Sequence, residues 1–167
     1  NELGAAAAAY NADEKELCRL DEIYSAVKTP FEIRSGLEKV TRRFFKICNN
    51  GRESFTGLYK SLTEQGICKG HQCIAYGLYM RDNGIELSEG LAVYGYSICS
   101  AIVTNCVKLV PLSQLAGQKI LGESFELISS ASEKALFTDI NDIGISGAGF
   151  DLRAMQHERL YSRQYMS

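Results

Sequence analysis

The chain has 167 residues, of which 46% are apolar and 23% charged, with a formal net charge of −2. That length suits one domain, able to bury roughly two-thirds of its unfolded surface, and the composition excludes a chain disordered throughout. The slightly acidic balance gives no basic face for nucleic acid and points instead to protein partners.

The chain opens on Asn1-Glu2-Leu3-Gly4 and a five-alanine run ending at Tyr10. This is a strong helix former entered in mid-pattern, without Met or cap, and it predicts that further residues precede Asn1. A second helix is expected from about Asp13, as N-cap, to Lys28. Thr29-Pro30-Phe31-Glu32 reads as the next start, with Thr29 as N-cap, Pro30 at the first helical position and Glu32 closing a capping box. The helix that follows sets Leu37, Val40, Phe44 and Ile47 on one stripe and stops at Asn49-Asn50-Gly51. Shorter helices are expected over about 53–65 and from Gly70 to Met80, the latter ending at Asp82-Asn83-Gly84.

From about Ser88 a long helix runs to Val110. Its small residues (Gly90, Ala92, Gly95, Ser97, Ser100, Ala101) let helix axes approach closely, which places it at the centre of the bundle. Pro111 ends or kinks it. A last long helix is expected from about Ser113 to Phe137. The absence of strand-like alternation predicts an all-α fold, a compact multi-helix bundle. The division is residues 1–137 as bundle, 138–150 as flexible linker, and 151–167 as a flexible C-terminal tail that binds partners. No signal peptide or membrane span is visible, because Lys, Glu, Ser and Asn interrupt the apolar stretches.

Six cysteines (Cys18, Cys48, Cys68, Cys73, Cys99, Cys106) lie singly in helical patterns and form no CxxC pair. They read as reduced, packed thiols of a cytoplasmic protein. His71 and His157 are far apart in sequence, and no nucleophile elbow, P-loop, HExxH or dinucleotide fingerprint accompanies them. Both are minor metal candidates: His71 with Cys68 and Cys73, His157 beside Glu158. A metal-dependent hydrolase built on the two histidines is the rival reading from another class. The plainer alternatives are a backbone-bonded His71 and a surface pair at His157.

Two stretches are more specific. One is Asn105-Cys106-Val107-Lys108-Leu109-Val110-Pro111-Leu112-Ser113-Gln114-Leu115-Ala116-Gly117-Gln118-Lys119. The other is Met155-Gln156-His157-Glu158-Arg159-Leu160-Tyr161-Ser162-Arg163-Gln164-Tyr165-Met166-Ser167. They resemble the "VK/RxVPLxQxxGQ" and "MxHExLYSRLYMS" signatures of the urease accessory protein F family, with Gln164 where leucine is common. Gly70-His71 through Tyr76-Gly77 is a weaker third match. The resemblance covers essentially the whole chain except the family's N-terminal "FP(T/I)G(S/G)…H(S)xGLE" segment, which has no counterpart after Asn1.

The resemblance implies a nickel-insertion chaperone and adaptor, not an enzyme. It would join the scaffold accessory protein (D or H) and recruit the G-family GTPase for assembly of the nickel centre in the urease apoprotein. No cofactor would be held tightly: nickel would be handled by the complex and GTP by the GTPase. A homodimer is implied, with no nucleic acid and no membrane. A conduit lining a nickel path, or a modulator of GTPase turnover, is the rival within the family.

The residues expected to carry partner contacts are Lys108, Gln114, Gln118, Arg159, Tyr161, Arg163, Tyr165 and Met166. Lys108 either snorkels to the surface or meets a partner, since an unpaired buried ammonium is costly. Gln114 and Gln118, one turn apart, either bond a partner or tie helices within the subunit. The tail's Tyr, Met and Arg side chains are types enriched at interfaces, which favours an intermolecular role.

Overall fold

The computed structural model describes residues 1–48, 51, 53–144 and 147–161. Among them the chain forms nine α-helices, one 3₁₀ turn and no strand, in keeping with the all-α expectation. The helices are α1 (Glu2–Asn11), α2 (Glu14–Val27), α3 (Phe31–Ile47), α4 (Phe55–Glu64), α5 (Gln72–Asp82), α6 (Leu87–Leu109), α7 (Gln114–Glu123), α8 (Phe125–Ala135) and α9 (Ala148–His157).

The centre is the crossing of α1 and α5, not α6 as the small-residue pattern suggested. The alanine run supplies the reason. Ala5, Ala6, Ala7 and Ala9 are buried against α5, whose Ile74, Ala75, Leu78 and Met80 are buried in turn. A Cβ on Gly77 would stand 2.2 Å from the Ala6 carbonyl oxygen, so the backbones touch where a side chain would intervene. Around this crossing lie Leu17, Leu20 and Tyr24 of α2, Tyr59 and Leu62 of α4, and Leu91 and Tyr94 of α6. Tyr76 stacks on Tyr94 with ring centres 4.6 Å apart.

Helix starts follow local chemistry in part. Asp13 accepts from the Glu16 amide while Glu16 reaches back to the Asp13 amide, a reciprocal cap. The expected box at Thr29 does not form: Pro30 occupies the N-cap of α3 and makes no side-chain cap, and Glu32 faces His157 instead. The start of α4 is capped from a distance as well, with Asp82 accepting from the amides of Phe55 and Thr56 at 3.0 and 2.8 Å. This ties the end of α5 to the start of α4.

Two further expectations change. The residues of α3 that face inward are Thr41 and Phe45, with Leu37 and Phe44 half-buried, whereas Val40 and Ile47 are exposed. The helix expected over 113–137 is divided at Ser124. The Ser124 hydroxyl donates to the Ile120 carbonyl at 2.8 Å, a back-bond that bends helices.

Residues 138–144 lie against the bundle: Ile143 is buried, and Thr138 meets Gly4 so closely that a Cβ there would approach it to 2.9 Å. Contrary to the sequence reading of apolar stretches too interrupted to span, α6 is long and apolar enough, by length and composition, to cross a membrane. Only its first half is buried, at Gly90, Leu91, Tyr94 and Gly95.

Candidate functional site

The first candidate region is the corner between α6 and α7. Pro111 cannot continue α6, and Ser113 starts the next helix by accepting from the Ala116 amide at 3.1 Å. Gly117 then lies tight against α6, where a Cβ would meet the Val107 methyl at 2.7 Å. This close approach sets Lys108, Gln114 and Gln118 around one cleft of about 330 Å³, shared with Val103, Thr104 and Val107. All three polar side chains are exposed. Among the described residues none of them makes an ion pair or a side-chain hydrogen bond. Lys108 therefore reaches the surface.

The second region is the C-terminal segment. α9 has no buried residue and rests on the start of α3. His157 Nδ1 lies 2.7 Å from Glu32 Oε2, and Glu158 accepts from the Phe31 amide at 3.2 Å. Beyond this seat Arg159 and Tyr161 are exposed, Tyr161 fully. Arg163, Tyr165 and Met166 lie outside the described residues. The two regions use different elements, α6–α7 and α3–α9.

The histidines occupy separate environments. His157 is the half-exposed partner of Glu32. His71 is buried at the start of α5, with its Nε2 2.7 Å from Ser25 Oγ. Burial lowers its pKa, partly opposed by Asp21 and Glu38. Among the described residues no three His, Cys, Asp or Glu side chains converge as metal ligands. Burial pushes the Cys73 thiol up to about 12, so it is a packed neutral thiol.

Sequence reasoning missed a buried polar knot beneath His71. Asp21 accepts from Tyr59 Oη at 2.5 Å, from the Lys69 amide at 2.7 Å and from the Gly70 amide at 3.1 Å. Tyr59 Oη in turn accepts from the His71 amide at 2.8 Å. The available signal was a carboxylate on the apolar stripe Leu17, Leu20, Tyr24 of α2.

Among the described residues the distinctive polar side chains thus lie exposed at a corner of a helical bundle and on a surface-bound terminal helix. The sequence profile of the UreF family matches residues 1–124. The chain is 33% identical over 158 residues to the urease accessory protein UreF of Actinobacillus pleuropneumoniae serotype 5b (strain L20), covering 94% of this chain and 70% of that protein. It is 30% identical over 152 residues to UreF of Paenarthrobacter aurescens (strain TC1), covering 89% and 67%. UreF of Streptococcus thermophilus (strain LMD-9) is 34% identical over 109 residues, covering 65% and 46%. The chain belongs to the UreF family of urease accessory proteins. It is a non-catalytic urease maturation factor, associated with the urease maturation machinery.

Proposed function

We propose that this chain is a cytoplasmic adaptor in nickel insertion. It binds the D/H scaffold protein through its C-terminal segment, and the joint surface recruits the G-family GTPase to the urease apoprotein. Residues 151–167 act as the docking segment of a bundle formed by residues 1–137, with 138–150 between them. Nickel is the cargo of the assembly and GTP the substrate of the partner GTPase.

The observation that carries this reading is the terminal segment itself. Its seat on α3 leaves Arg159 and Tyr161 exposed, and such side chains suit burial by a partner. The exposure of Lys108, Gln114 and Gln118 supports a second docking point at the α6–α7 corner over an internal metal path. The test is capture of purified scaffold protein by the full chain and by a chain lacking 154–167. Loss of capture on truncation is expected, and equal capture would remove the role given to the tail. Arg163→Ala is expected to keep scaffold binding while weakening recruitment of the GTPase. Unchanged recruitment and unchanged urease activation would overturn that assignment.

A further inference from the structure

A cleft of about 560 Å³ opens between α2, α3 and the turn from α4 to α5, with a lining that shares no residue with the α6–α7 corner or the α9 seat. Three cations line it, Arg34 and Arg42 from α3 and Lys69 from the turn, together with one carboxylate, Glu38. Ser25 and Thr63 also line it, the Thr63 hydroxyl being donated to the Tyr59 carbonyl at 2.8 Å. Among the described residues the side chains of Arg42 and Lys69 make no ion pair or hydrogen bond. Arg34 is held by its Nη1 alone, which donates to the carbonyls of Lys28 at 2.9 Å and Thr29 at 3.2 Å. The rest of its guanidinium fork stays available from a fixed base.

We propose that this cleft is an anion site that takes a phosphate group, held by Arg34, Arg42, Lys69 and the Ser25 hydroxyl. The charge favours an anion: three cations line the cleft against Glu38, with the Asp21 carboxylate behind it at the Lys69 amide. Guanidinium forks also match phosphate oxygens in pairs.

The Ser25 hydroxyl is oriented for this from behind. His71 is buried and neutral, and its Nδ1 has no partner among the described residues. An orphaned buried N–H is rarer than an orphaned lone pair, so the ring proton sits on Nε2 and is donated to Ser25 Oγ. The serine proton is then free to be donated into the cleft. An adjoining cleft of about 410 Å³ shares Arg42 and Thr63 and adds Lys46, Lys60 and one carboxylate, Glu64. It gives room beside the phosphate for the remainder of a phosphate ester.

The test is titration of the chain with inorganic phosphate and, in a second arm, with ADP, both at constant ionic strength and followed by calorimetry and amide chemical shifts. Saturable binding with shifts at Ser25, Arg42 and Lys69 is expected. Equal affinity in the two arms identifies the free ion as ligand, and tighter ADP binding identifies a phosphate ester. Both results support the site. R42A/K69A removes two exposed side chains without structural partners and is expected to raise Kd by about tenfold per residue, with Tm unchanged. Ser25→Ala is expected to weaken binding, while Lys119→Ala on α7 leaves it unchanged. Absence of saturation by about 10 mM phosphate or ADP overturns the proposal, as does binding that R42A/K69A leaves intact.

Discussion

At the scale of single residues, the Asp21 knot gathers three hydrogen bonds on one inward-facing carboxylate. One carboxylate satisfies the Tyr59 hydroxyl and the amides of Lys69 and Gly70. Asp21→Ala would leave those buried donors without an acceptor, and each such loss costs about 1–3 kcal/mol. We expect the chain to lose about 3 kcal/mol or more of unfolding free energy, read by urea denaturation. A loss below about 1 kcal/mol would mean that the knot relaxes.

His71 adds a pH dependence with a definite sign. Its folded pKa lies below the ordinary 6.5 because burial disfavours the imidazolium. Below that value the unfolded chain takes up a proton that the folded chain does not, so stability is full above about pH 6.5 and declines as pH falls further. Denaturation midpoints at pH 7, 6 and 5 should decrease in that order, and His71→Gln should flatten the decline. A midpoint that rises on acidification would contradict the assignment. The histidine was visible in the sequence, but its partner was not. Ser25 lies 46 residues away, and no periodicity links a serine near the end of α2 to the start of α5.

At the scale of elements, the bundle depends on how closely two short helices approach. Gly77→Ala would drive a methyl against the Ala6 carbonyl oxygen, which is backbone and cannot swing aside. Separation of α1 from α5 would disturb the whole core. The expected cost is about 3 kcal/mol or more, beyond the usual range for an overpacked core. Gly90→Ala is the control. Its nearest neighbour is the Met80 sulfur, part of a flexible side chain that can move, so the loss of Tm should be smaller. Equal losses would show that the α1–α5 contact has slack.

Helix existence was legible from propensity and breakers, since both the alanine run and Pro111 act locally. The burial order was not. The small residues of α6 and of α1 look alike in sequence, and only tertiary packing shows that α1 is enclosed while the second half of α6 is open. The stripe on α3 failed for a similar reason. Thr41 can be buried cheaply because its hydroxyl donates to its own helix at the Leu37 carbonyl, at 2.9 Å, so the inward face rotates toward it and away from Val40.

At the scale of the whole molecule, α6, α7 and α8 expose several large apolar side chains. Val93, Tyr96 and Ile102 of α6, Leu115 of α7, and Phe125 and Leu127 of α8 are all exposed, Leu115 to 82% and Leu127 to 72%. The exposed half of α6 also holds Ala101 and Thr104, small side chains that would let a second helix approach. We propose that a second copy of the chain covers the open second half of α6, where Ile102 lies, as the family resemblance implies. Sedimentation at rising concentration should then show a monomer–dimer equilibrium. Ile102→Glu, an exposed position whose change leaves the monomer core untouched, should raise the dissociation constant by about tenfold or more, as expected for a charge forced into an apolar contact. A chain that remains monomeric at all concentrations, or that moves into lipid vesicles instead of dimerising, would show that this face serves a different partner.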